Sequence, residues 1–158
     1  MAKKISRIFL DSNVILSGLF SEKGTPRIIL DILSIKLNFL TGLTGKYNLI
    51  EIERNITKKL PAALPLYRAY FAKMNLEIIP IPSHEEMKKF AGAITEKDMP
   101  VLVSAVKGKA DFLVTGDKKD FEHLKIKGGY VFKIVSPSEF VEIILPGLAS
   151  EAAGKLWL

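Results

Sequence analysis

The stretch that most limits how this chain can fold runs from Glu96 to Phe121, EKDMPVLVSAVKGKADFLVTGDKKDF. Asp98 precedes Met99-Pro100. The residues that follow, Val101, Leu102, Ala105 and Val106, recur at the spacing of an apolar helical face. Lys107-Gly108-Lys109 ends that helix with a glycine and with cations in the last turn. Phe112-Leu113-Val114-Thr115 is then a short apolar run broken by Gly116, as expected of a strand buried on both faces. A helix feeding such a strand is half of a β-α-β crossover. In parallel sheets the chemistry gathers beyond the carboxyl ends of the strands, and Asp117 stands at that place.

The rest of the chain repeats the alternation. Ile5 to Leu10 is a strand ending in Asp11-Ser12-Asn13, and Val14 to Leu19 starts a helix that Ser12 or Asn13 can cap. Thr25-Pro26 opens a second helix with a capping residue and proline at its first position. Leu37 to Thr41 reads as a second strand, loosened after its end by Gly42 and Gly45. Lys46 to Leu60 is a helix with Leu49, Ile52, Ile56 and Leu60 as its core stripe. Pro61 and Pro65 interrupt it before Leu66 to Met74 continues. Glu77 to Pro82 is a strand, and Ser83 with Glu86 forms a capping box for a helix through Phe90. A last strand spans Tyr130 to Val135. A final helix starts at Ser136-Pro137-Ser138-Glu139 and stops at Pro146-Gly147, before the apolar ending Leu156-Trp157-Leu158. This pattern predicts a three-layer α/β/α sandwich with a mainly parallel sheet, formed by residues 1–146, with a tail of 147–158.

At 158 residues and 48% hydrophobic content, one folded domain with a real core is expected. The chain has no cysteine, which rules out disulfides and zinc–thiolate sites. Its basic, apolar beginning resembles a signal peptide, but Asp11 and Asn13 interrupt the apolar run. The reading is therefore a cytoplasmic protein with no membrane span. The net charge of +6, from 23 Lys+Arg against 17 Asp+Glu, suits a polyanionic partner such as nucleic acid.

Three acids, Asp11, Asp98 and Asp117, follow strands or open the helix between strands, so all three should face one edge of the sheet. Taken alone, Asp11 and Asp98 read more readily as cap or turn residues, and Asp117 reads as turn chemistry. A helical acid, Glu51 or Glu53, can complete the ring. Two carboxylates about 4 Å apart repel by about 4 kcal/mol at an effective dielectric near 20, so three or four in one pocket need a cation. Hard ions such as Mg²⁺ or Mn²⁺ take oxygen ligands of this kind. The only histidines, His84 and His123, read as surface residues.

The segments LDSNVILSGLF, LIEIERNI and KDMPVLVSAVKGKADFLVTGDKKDF resemble the acidic motifs of the PIN-domain family, over about residues 5 to 145. The resemblance implies a metal-dependent ribonuclease, either a toxin of a toxin–antitoxin pair or an enzyme of RNA maturation or decay. It places catalytic metal ligands at Asp11, Glu51, Asp98 and Asp117, supported by Asn13 and Thr115, with Asp120 in an outer contact. At the helical position an acid followed at once by an aliphatic residue favours Glu51-Ile52 over Glu53-Arg54. The same resemblance implies RNA as substrate, an antitoxin protein as partner, and a homodimer.

A basic rim of Arg54, Lys58, Lys59, Lys107, Lys109, Lys118, Lys119, Lys125 and Lys127 would hold the RNA backbone. The competing reading is a PIN-like domain that binds RNA or a partner protein without cleaving. An aspartyl-nucleophile phosphatase wants a second aspartate where Asn13 stands, and a nucleotide-binding fold wants a glycine-rich loop after the first strand.

Overall fold

The computed structural model describes residues 5–122, 124 and 132–156. The first strand, β1 (Ser6–Leu10), leads into α1 (Ser12–Phe20) and α2 (Thr25–Ser34). Then come β2 (Leu40–Gly45), α3 (Lys46–Lys59), a 3-10 turn at Pro61–Ala63 and α4 (Leu64–Met74). The chain continues through β3 (Glu77–Ile79), α5 (His84–Lys88), α6 (Met99–Lys107) and β4 (Phe112–Val114). It closes with α7 (Lys118–Glu122), β5 (Lys133–Val135) and α8 (Pro137–Leu156). All five strands are parallel, in the order β3-β2-β1-β4-β5. No described helix is long and apolar enough to cross a membrane.

Strand alternation divides the core in two. Ile8 and Leu10 of β1 and Val114 of β4 pack on one side with Val14 and Ile15 of α1, Ile29 and Leu30 of α2, Ile52 and Ile56 of α3, and Phe140 of α8. Phe9 and Leu113 point to the other side, against Met99, Leu102 and Ala105 of α6 and Phe121 of α7. Successive side chains of a strand face opposite ways, so a central strand covered on both faces must be apolar throughout. Ile8, Phe9 and Leu10 are accordingly all fully buried. The expected three-layer α/β/α sandwich is present.

Several local expectations are corrected. The second strand lies at Leu40–Gly45, not Leu37 to Thr41, and Gly42 and Gly45 belong to it. A side chain at Gly42 would stand 2.5 Å from Leu76 Cδ2 and 3.0 Å from Leu33 Cδ1, so this glycine marks a close approach and not a loose turn. The cap of α1 is Asp11, and Thr25 is already helical, behind Gly24. Leu60 is half exposed and lies beyond the end of α3, so it leaves the core stripe. The strand at Glu77 is shorter than expected, ending at Ile79, whereas the Ser83–Glu86 capping box is present with both bonds.

Helix α8 does not stop at Pro146; that residue sits inside it, and the 146/147 division falls within the helix. Pro146 and its neighbours Glu142 and Leu145 are exposed, so water can take the carbonyl that proline leaves unbonded. Packing through Phe140 and Ile144 then outweighs the local cost. The start of the strand expected at Tyr130, and Trp157-Leu158, lie outside the described residues, as do His123, Lys125 and Lys127.

Phe140 fixes α8 to the sheet, edge-on to the Phe112 ring at 5.6 Å between centroids and 67° between planes. Phe140→Ala should cost about 3–5 kcal/mol of unfolding free energy. Replacement of the half-exposed Ile143 in the same helix by alanine should cost within about 0.5 kcal/mol, with both read from urea denaturation.

Candidate active site

The strand order reverses at β1, which lies between β2 and β4, and in parallel sheets ligands bind at such a point, beyond the strands' carboxyl ends where neighbouring crossovers leave in opposite directions. Leu10 and Val114 are register partners, and the backbone N–H of Asp11 donates to the Val114 carbonyl at 3.0 Å. The residues that follow both strands, Asp11 and Thr115, therefore stand side by side although distant in sequence.

Asp11 is the buried member, 8% exposed. Its Oδ1 accepts from the backbone N–H of Ser12 at 2.8 Å, capping α1, and from Asn48 Nδ2 at 3.3 Å. Its Oδ2 accepts from the Thr115 hydroxyl at 2.8 Å. The Thr115 oxygen in turn accepts from the backbone N–H of Asp117 at 3.0 Å, so one hydroxyl joins two acids. Asn13 completes the frame: Nδ2 donates to Asp117 Oδ2 at 2.9 Å, and Oδ1 accepts from the Gly116 N–H at 2.9 Å. These are the hydrogen bonds expected of Asn13 and Thr115.

Burial pushes the Asp11 carboxyl up to about 6. The Thr115 and Ser12 hydrogen bonds pull it down, while the charges of Glu51 and Asp117 push it further up. Three of the four expected acids thus share one electrostatic neighbourhood. Asp98 is not among the groups that shift Asp11. It occupies the cap position of α6 without a capping bond, and its Oδ2 accepts from Thr95 Oγ1 at 3.0 Å. Asp120 is exposed on α7, its N–H bonded to the Asp117 carbonyl at 2.9 Å.

The choice between Glu51 and Glu53 follows from the true centre of the α3 stripe. The buried residues are Asn48, Ile52 and Ile56, one position off the stripe expected from Leu49. That shift puts Glu51, half-buried, beside the site. Glu53 is exposed and acts on Tyr67 instead.

Asn48 was missed, and so were Thr44, whose hydroxyl donates to the Leu10 carbonyl at 2.9 Å, and Ser104. The available signal was a polar residue on an apolar helical stripe at i, i+4 and i+8. The lysines also divide by topology. Helix α6 runs back across the sheet, so Lys107 and Lys109 lie at the edge opposite Asp117, beside Gly108, whose carbonyl accepts from Arg7 Nε at 2.9 Å. Lys58 and Lys59 end α3 and are likewise remote from its Glu51 end. Lys118 is bound to Glu139 at 3.0 Å; among the described residues Lys46 and Arg54 are exposed on the helix that carries Glu51, Lys97 next to Asp98, and Lys119 on the helix that follows Asp117.

The donor chemistry suits a hard divalent cation: the acids offer only oxygen ligands, around a carboxyl raised first by burial and then by the charges of Glu51 and Asp117. As they stand, the described side chains do not gather three or more ligating groups around one point. The chemistry fits, while Asp98, bonded to Thr95, is not gathered with the others.

The profile of a known family, described as PIN domain, matches residues 7–119. No curated protein sequence matches the chain. The fold is similar to a chain in the crystal structure of VapBC2 from Rickettsia felis bound to a DNA fragment from their promoter. There the identity is 17%, the TM-score 0.59, and the match covers 82% of this chain and 98% of that one. DNA-bound VapBC from Salmonella typhimurium gives 13% identity and a TM-score of 0.61 over 84% and 99% of the two chains. VapBC-1 from nontypeable Haemophilus influenzae gives 14% and 0.60 over 84% and 98%. At these identities the likeness is one of fold.

The raised Asp11 carboxyl carries a signed consequence. Its folded value of about 6 lies above the ordinary 3.8, so its contribution to stability is greatest below the lower value and is lost as pH rises through the higher one. Asp11→Asn should therefore stabilise the chelator-treated protein at pH 7.5 by about 1–2 kcal/mol. That is the cost of two pKa units less a weakened hydrogen bond. The gain should vanish near pH 4, as read from thermal melts across that range.

Proposed function

The chain belongs to the PIN-domain family, and on that premise we propose that it is a divalent-metal-dependent endoribonuclease hydrolysing RNA phosphodiester bonds. The observation that carries this reading is a carboxylate buried at the sheet's switch point with two further acids pressing on it. A scaffold gains nothing from that repulsion. A site built to receive positive charge does.

In this reading Asp11, Glu51, Asp98 and Asp117 hold Mg²⁺ or Mn²⁺, whose contribution is to neutralise charge developing on the phosphate and to acidify water. The protein supplies the frame. Ser12, Asn48 and Thr115 fix both oxygens of Asp11, so its carboxylate cannot swing away from the crevice. Asn13 fixes Asp117 through Oδ2. In this reading Oδ1 is the oxygen that Asp117 would offer to the ion. Water is the nucleophile because the nearest hydroxyls are engaged: Thr115 with Asp11 and Asp117, Ser12 with Asn48. Lys46, Arg54 and Lys119 hold the RNA backbone at this edge.

Three solved structures of similar fold are VapBC assemblies, two of them on DNA. This favours the role of a toxin held by an antitoxin partner; a homodimer in the cytoplasm belongs to the same proposed reading and rests on the family resemblance alone. The competing reading, a PIN-like domain that binds RNA or a partner without cleaving, draws on the lack of three converged ligands among the described residues.

The two readings separate in a cleavage assay on single-stranded RNA with Mn²⁺. Asp11→Asn and Asp98→Asn should each lower the rate by more than about a hundredfold, beyond the range typical of changes outside the ligand set. Unchanged cleavage by Asp11→Asn would overturn the assignment. RNA binding that survives with no cleavage by the wild type would establish the competing reading.

A further inference from the structure

Two buried side-chain atoms among the described residues have no hydrogen-bond partner, Asn48 Oδ1 and Ser104 Oγ. Both residues are fully buried, and both atoms crowd the same point. A Cβ built on Gly45 would stand 2.8 Å from Asn48 Oδ1 and 3.1 Å from Ser104 Oγ. Leaving two such groups unbonded costs about 1–3 kcal/mol each, so chance is a poor account of their meeting.

The chemistry of the pair is complementary. The amide of Asn48 donates through Nδ2 to Ser12 Oγ at 2.8 Å and to Asp11 Oδ1 at 3.3 Å. A carboxylate only accepts, so this contact fixes which end of the amide faces Asp11 and turns the carbonyl oxygen toward Gly45 and Ser104. The two oxygens are not bonded to each other as they stand; a change of the Ser104 χ1 rotamer moves the hydroxyl oxygen itself and lets it donate to the Asn48 carbonyl. Ser104 lies on α6, which Asp98 precedes at the cap position; Asn48 lies on α3, one turn before Glu51. Gly45, the last residue of β2, lacks the side chain that would part them.

We propose that Asn48 and Ser104 are a positioning pair, in which the Ser104 hydroxyl orients the Asn48 amide and the amide holds the Asp11 carboxylate in line with the helices carrying Glu51 and Asp98. The pair touches neither substrate nor ion. It deepens the nuclease reading and rests on it only for its catalytic consequence.

The test uses the full chain and begins without metal. In wild-type protein the Asn48 side-chain amide protons should give resolved, slowly exchanging NMR signals. Ser104→Ala, which removes one oxygen and is tolerant of folding, should shift them and speed their exchange. With Mn²⁺ and single-stranded RNA, Ser104→Ala should lower kcat about tenfold with KM unchanged, and Ser104→Thr, which keeps the hydroxyl, should recover most of it. Asn48→Ala should lower kcat further and weaken Mn²⁺ binding measured by calorimetry. Unaltered amide exchange and kcat in Ser104→Ala would overturn the pair. A coupled amide in a wild type that does not cleave RNA would sustain the pair and sink the nuclease reading.

Discussion

Everything at the candidate site depends on keeping one carboxylate, that of Asp11, out of water. Burial raises the free energy of its charge, and three donors (the Ser12 N–H, Asn48 Nδ2 and the Thr115 hydroxyl) return part of that cost without removing it. The balance is deliberate in the physical sense that each donor comes from a different element, α1, α3 and the end of β4. A fully satisfied carboxylate would be inert. One left partly uncompensated, with Glu51 and Asp117 acting on it, takes up a proton more readily than an ordinary aspartate.

The sheet explains why these groups meet at all. With β1 central and its neighbours departing in opposite directions, the carboxyl ends of β1 and β4 are the one place where two crossovers leave a gap. The same topology sends α6 back across the sheet and carries Lys107 and Lys109 to the far edge. Proximity in sequence to the acids therefore says nothing of proximity in space for those lysines.

How much of this was legible in the sequence differs from one segment to the next. The span from Asp98 to Asp117 was readable because a helical period and a β-rich run follow one another with clear stops, and α6 and β4 lie where they were expected. Position β2 was misread because Gly42 and Gly45 look like turn residues. Their role is close packing, against Leu76 and Leu33 for one and Asn48 and Ser104 for the other, and that contact is tertiary. Pro146 misled for the same reason: its local preference yields to the docking of α8. Asn48 stood out only as a polar residue on an apolar helical stripe, a signal that does not name the partner it meets 37 residues away.

The Thr115–Asp11 bond spans 104 residues of chain. During synthesis the first strand and most of the helices emerge long before that threonine does, so a growing chain carries its acids apart and solvated. The repulsion that marks the site therefore cannot arise until β4 and the residues after it have left the ribosome, when six of the helices are already made.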